Sequence, residues 1–238
     1  EPVKIMTMDS VDSHGRYQNI LTHRELADEL EEDILNYFPN QPSSSNQFWK
    51  PEWLKKNVID IIADNTTITV SYIKEEAGFK NCFGYIVYNT NAPPRNSKDL
   101  KRWIVIFPNL SHNQGTFVGD TVQLASDWTE NNDNTITPTS HTFSAGTSVM
   151  FFIIANGWTG NKINDRRYKF YSNPKFNPEL SSDLKQHCAV IRSTADENSF
   201  IIGFEDINRE RPNCDHDMND CIVLVTVNDY KNIDDDFY

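Results

Sequence analysis

The pattern of apolar and polar positions along this 238-residue chain changes period once, near residue 66. Before that point Leu26, Leu30, Ile34 and Phe38 recur at every fourth position. They follow Thr22-His23-Arg24-Glu25, which has the form of a capping box, where Thr and Glu side chains take up the first free backbone amides of a helix. This predicts a helix from about residue 23 to 37, ended by Pro39. The Pro-, Ser- and Asn-rich stretch 40–46 reads as a loop, and Pro51-Glu52-Trp53-Leu54-Lys55-Lys56 as a helical turn or an extended strap.

From Thr66 onward the period is two, and β-branched and aromatic residues dominate. Strands are predicted at 67–73, 83–88, 103–107, 121–124, 148–155, 168–171, 187–192, 200–204 and 221–227. Nine short strands with turn signals between them and almost no later helix indicate an all-β fold, an antiparallel β-sandwich of jelly-roll type with a short N-terminal helix. The stretch 127–140, rich in Asn, Asp and Thr, reads as a mobile loop. The end, Asp234-Asp235-Asp236-Phe237-Tyr238, reads as a solvated tail. The expected organisation is a helix and strap over 1–60 packing on a main domain at 61–230, followed by an acidic tail at 231–238.

Composition narrows the function classes. A net charge of −12 without a Lys/Arg cluster excludes nucleic acid, whose binding depends on neutralising phosphates. The longest wholly apolar run, Val149 to Ala155, is too short to span a bilayer, so no membrane insertion is expected. Four cysteines, Cys82, Cys188, Cys214 and Cys221, form no CxxC pair and do not suggest zinc; they are either buried thiols or disulfide partners, with Cys214 and Cys221 the pair best placed to bridge. Asn65-Thr66-Thr67 and Asn109-Leu110-Ser111 are glycosylation sequons that act only in a secretory compartment. A start at Glu1 rather than Met fits a processed secreted protein or numbering that begins inside a longer precursor.

The chemistry concentrates in one place. Glu205, Asp206, Asp215, Asp217, Asn219 and Asp220 fall between the apolar runs 199–202 and 222–225. Carboxylates crowded between two such strands repel one another unless a cation sits among them, and a hard divalent ion taking six to eight oxygens, Ca2+, suits them best, with Mg2+ second. Asp215-x-Asp217-x-Asn219-Asp220 begins like the calcium loop of a helix-loop-helix hand, but that loop needs Gly where Asp220 stands and Glu where Thr226 stands. What remains is a loop between strands whose alternate side chains face one point, with His216 at the opposite parity and directed away. The competing readings are a solvated acidic loop paired with Arg209 and Arg211, and an acid–base pair of Glu205 and Asp217.

Gly203-Phe204-Glu205-Asp206 followed by Asp215-x-Asp217-x-Asn219-Asp220 resembles the closing motif of the domain of unknown function 4114 family. Three upstream stretches are similar to that family's motifs in the right order: Glu76-Ala77-Gly78-Phe79-Lys80-Asn81-x-Phe83-Gly84-Tyr85, then Ala145-Gly146-Thr147-Ser148-Val149-Met150-Phe151-Phe152, then Tyr171-Ser172-Asn173-Pro174-x-Phe176-Asn177-Pro178-Glu179. The resemblance covers about 38–227. It implies a β-sandwich that binds calcium through Glu205, Asp206, Asp215, Asp217, Asn219 and Asp220, in proteins that are mostly secreted, on surfaces or part of large adhesins. This chain departs from the pattern at Met218, where an aromatic is usual, and in the cysteines flanking the loop. The helix lies outside the best-matched stretches and reads as an assembly element or as part of the fold.

The expectation is a non-enzymatic, calcium-binding structural or adhesive module, extracellular or on a cell or particle surface. Its partners would be other proteins of a surface or filament assembly, or glycans. The alternative is a calcium-dependent carbohydrate-binding module in which the ion or an aromatic such as Trp128 or Trp158 contacts sugar.

Overall fold

The computed structural model describes residues 4–39 and 56–238. The loop expected at 40–46, and all of the strap beginning at Pro51 except Lys56, lie outside the described residues. In chain order the elements are β1 (Ile5–Thr7), β2 (Thr22–His23), α1 (Asp28–Tyr37), β3 (Ile59–Asp60), β4 (Ile68–Lys74), β5 (Cys82–Asn89), β6 (Trp103–Phe107) and β7 (Asp120–Gln123). They continue with β8 (Asp127–Glu130), β9 (Ile136–Ser140), β10 (Thr147–Ile154), β11 (Lys169–Tyr171), β12 (Cys188–Arg192), β13 (Ser199–Phe204) and β14 (Cys221–Val227). The described residues are mostly β with one α-helix, and all nine strands expected from the period-two pattern are present.

Two six-stranded sheets carry the structure. One runs β1-β6-β5-β10-β11 with β3 also on β10, and the other runs β12-β13-β14-β4-β7-β2. Every ladder in them is antiparallel except β1 with β6. Successive strand side chains point to opposite faces, and here both faces are filled. Phe83, Tyr85, Ile104, Ile106, Phe151 and Ile153 of the first sheet share one buried cluster with Val70, Tyr72, Phe200, Ile202, Val223 and Val225 of the second. The alternate residues of the first sheet, among them Ile86, Trp103, Val105, Met150 and Phe152, pack under Val58, Leu100, Trp158 and Tyr171. Those of the second, Ile73, Ala189, Ile191, Ile201, Ile222 and Leu224, pack under Leu30, Ile34 and Phe38 of α1. Burial on both faces is the reason these strands read as near-continuous apolar runs.

Three expectations are corrected and one alternative left open is decided. The helix starts at Asp28, not near 23, because Thr22 and His23 pair with Thr121 and Asp120 of β7; the capping box is drawn into the sheet and Ala27 becomes the N-cap. The helix is part of the fold, since its apolar face covers the second sheet. The stretch 127–140 is a β8–β9 hairpin rather than a loop, with Ile136 buried and the Arg102 guanidinium 4.1 Å from the Trp128 ring centre. The tail docks: Asp234 donates its amide to the Asp60 carbonyl, and Phe237, fully buried, meets Phe200 edge to face at 5.3 Å. Asp235 and Asp236 are exposed and Asp234 is half-buried, but Phe237 belongs to the core.

Of the sequon residues, Asn65 is exposed, whereas Asn109 is buried with its amide donating to the His14 carbonyl at 2.7 Å, so the folded chain offers only Asn65. All four cysteines are free and buried. No helix among the described residues is long and apolar enough to cross a membrane.

Candidate metal centre

The acidic residues are brought together by the last rung of the β13–β14 ladder. Phe204 stands opposite Cys221, and the Asp220 amide donates to the Phe204 carbonyl at 3.0 Å, so residues 205–220 form the connection of a hairpin. Glu205 and Asp206 leave one strand as Asp220 enters the other, and the Asp206 amide donates to Asp220 Oδ2 at 2.9 Å. The Glu205 amide donates to the carbonyl of His187, the residue just before β12, and the Asn219 carbonyl accepts from the Glu76 amide. Backbone bonds to two neighbouring segments therefore fix the start and end of the connection.

Between them the chain zigzags. His216 and Met218 have φ of 61° and 55°, a left-handed conformation uncommon for residues with a Cβ. Alternating these with ordinary residues turns Asp215 and Asp217 toward Glu205. Met218 is held in place because its side chain, fully buried, joins the cluster beneath α1. Gly203 completes the fit: a Cβ there would stand 2.2 Å from the Met218 carbonyl oxygen and 2.2 Å from Phe38 Cε1. The glycine of the Gly203-Phe204-Glu205-Asp206 segment is thus a contact point between the helix and the acidic loop.

Two groups of three carboxylates result, Glu205 with Asp215 and Asp217, and Glu205 with Asp206 and Asp220; within each, ligand oxygens lie within 4.8 Å of one another. Glu205 is 1% exposed; its Oε1 accepts from the Ile207 amide at 3.2 Å, while Oε2 is buried without a hydrogen-bond partner. Asp206 Oδ2 accepts from Asn81 Nδ2 at 2.7 Å, and Asn81 also accepts the Asn156 amide. Asn219 holds Asp217, its amide donating to Oδ1 at 3.2 Å. Asp234, Asp235 and Asp236 form a third acidic group, but on the surface.

Burial and the crowding of like charges shift these carboxyls upward. Burial above all, then the charges of Asp206 and Asp215, push Glu205 up to about 7. Burial raises Asp217 to about 6 and raises Asp206 as well; burial together with the charges of Glu205 and Asp206 lifts Asp220 well above the usual carboxylate range. A cation among these oxygens would reverse the balance, since it favours the ionised form of every one of them.

Behind the carboxylates lies a second buried network. His187, stacked on Phe170 at 4.1 Å, bonds the Glu205 carbonyl through Nδ1 and Glu179 Oε1 through Nε2 at 2.6 Å. Both ring nitrogens thus have an oxygen partner, which fixes the ring between the two segments. Arg209 donates its amide to Glu179 Oε1, Nη1 to the Gln186 carbonyl, and Nε to His216 Nδ1 at 3.1 Å. His216 is therefore an acceptor turned to Arg209, in line with its parity. Arg209, which the competing reading paired with the acidic loop, thus bonds Glu179, a backbone carbonyl and His216 of the loop, and its charge also acts on Glu205.

The sequence reading placed all six candidate residues in one loop, and the structure brings five carboxylates of that set into two overlapping groups with Asn219 beside them. It missed Asn81, Glu179 and His187. The signal was present for the first two, because both stand as polar residues inside the quoted upstream motifs.

A cleft of 420 Å³ adjoins the centre at Asp206 and Ile207, flanked by Phe79, Tyr168, Arg167, Arg211 and Asn208. Trp128 and Trp158 do not line it: Trp158 is buried and Trp128 carries Arg102 on its ring.

Residues 143–228 match the model of a family described as Domain of unknown function (DUF4114). The match takes in β10 to β14 and the whole acidic connection, and bears out the family resemblance over that stretch. No curated protein and no solved structure matches the chain.

Proposed function

We propose that this protein is a non-enzymatic calcium-binding module with a structural or adhesive role in an extracellular or surface assembly, built on a jelly-roll β-sandwich whose closing hairpin the metal clamps. The observation that carries the reading is Glu205: a carboxylate 1% exposed, with one oxygen unpartnered, facing four further carboxylates from both ends of one connection. Burying an unpartnered charge costs several kcal/mol, and a hard divalent cation removes that cost using oxygens already in place. The four thiols being buried also agrees with an oxidising compartment, because oxidants and partner thiols do not reach them.

The test is a thermal melt in calcium chloride against chelator. Calcium at about one hundred times its Kd contributes about 2.7 kcal/mol to the folded state, which for a chain of this size is a rise of roughly 5–10 °C in Tm. Identical melting curves in the two buffers would sink the proposal.

The cleft beside Asp206 favours a second reading, a calcium-dependent carbohydrate-binding module. Exposed rings such as Phe79 and Tyr168 offer apolar plates, and Arg167, Arg211 and Asn208 offer donors to hydroxyl or carboxylate groups of a sugar. A glycan array probed with and without calcium decides it: calcium-dependent signals that vanish in Tyr168→Ala support it, and a blank array excludes it.

A further inference from the structure

We propose that the connection holds two calcium ions rather than one: an inner ion among Glu205, Asp206 and Asp220, and an outer ion among Glu205, Asp215 and Asp217, bridged by the Glu205 carboxylate. The inference rests on the calcium reading above and adds its stoichiometry and the role of each ligand.

Three observations lead to it. First, the five carboxylates do not converge on one point. They form two groups, each with ligand oxygens within 4.8 Å of one another, and the only residue common to both is Glu205. An ion in either group leaves the two other carboxylates of the second group without it. Second, Glu205 is placed as a bridge. It is buried between the groups, its Oε1 takes one backbone amide, and its Oε2 has no hydrogen-bond partner. A carboxylate has about four lone-pair sites, enough to serve an ion on each side.

Third, the charges close only with two ions. Five carboxylates carry five negative charges, so one divalent ion leaves three uncompensated and two ions leave one. Arg209, 2% exposed and within electrostatic reach of Glu205, supplies one positive charge. Glu179, the buried carboxylate behind the site, has partners of its own in His187 Nε2 at 2.6 Å and the Arg209 amide at 3.1 Å.

The two positions differ in access. Asp206 is buried and Asp220 half-buried, whereas Asp215 is exposed, so the outer ion faces solvent and exchanges first. Three carboxylates give up to six oxygens, and a peptide carbonyl or water completes the six to eight that calcium takes; magnesium, held to strict octahedral geometry, fits such a shared, carboxylate-rich site poorly.

Native mass spectrometry of the whole chain, with calcium chloride at increasing concentration, counts the ions, and calorimetric titration gives the steps. The expected result is two calcium ions per folded chain, bound in two steps. Asp217→Asn should retain one, the inner ion; Asp206→Asn should lose the inner one; Glu205→Gln should lose both or bind them far more weakly. The wild-type count needs no variant to fold. One ion at saturation overturns this inference and leaves the calcium reading standing; no ion at all overturns both.

Discussion

At the scale of single residues, the acidic centre depends on a side chain that is missing. Gly203 sits in a strand interior with an ordinary φ, so its identity is set by space: a Cβ would overlap both the Met218 carbonyl and the Phe38 ring. Both are held in place, because the Met218 side chain is fully buried beneath α1 and Phe38 closes the helix through its amide bond to the Ile34 carbonyl. Gly203→Ala should therefore lower Tm by several degrees, an overpacking cost of about 1–3 kcal/mol, and weaken calcium binding as well. A calorimetric titration beside a melt checks it; unchanged affinity would mean the loop is positioned without this contact. The sequence showed Gly203 as part of a motif but not what it touches, since both contacts come from segments distant along the chain or folded back upon it.

At the scale of elements, what was legible followed burial. Strands β4, β5, β6, β10, β12, β13 and β14 are buried on both faces and were readable within one or two residues from their apolar runs. The two- and three-residue strands β1, β2 and β3 are too short to show a period, and the β8–β9 hairpin alternates polar residues that resemble a loop. Helix α1 was visible in type and misplaced at its start, because a local capping signal lost to a strand pairing with a residue nearly one hundred positions away. Its role was legible only in the fold. If α1 were a docked assembly element, its core-facing residues would matter little to stability. The packing predicts otherwise: Leu30→Ala, at a buried position over the second sheet, should cost about 2–5 kcal/mol, while Leu35→Ala, 66% exposed on the same helix, should leave Tm within a degree or two. Equal small effects at both positions would return the helix to the periphery.

At the scale of the whole molecule, the acidic connection is tied to both sheets. Its ends continue β13 and β14 in the second sheet, while Asp206 takes a hydrogen bond from Asn81, the residue just before β5 in the first, and Asn81 in turn accepts the Asn156 amide just beyond β10. Cations at Glu205 and Asp206 would therefore brace the sheets against each other at one end, whereas the β8–β9 hairpin belongs to neither of the two large sheets. Binding to the folded state alone raises the protection of every amide that exchanges through global unfolding, but amides that exchange by local opening gain only where the ion closes that opening. Hydrogen exchange with and without calcium should thus show the largest gain at 204–221, a clear gain at 80–82 and 156, and none at the hairpin tip 131–135. A gain restricted to 204–221 would show that the metal stiffens the loop without bracing the sheets. Gain at 80–82 as well would mean that the ion contributes to the rigidity of the whole fold, the property a load-carrying surface module requires.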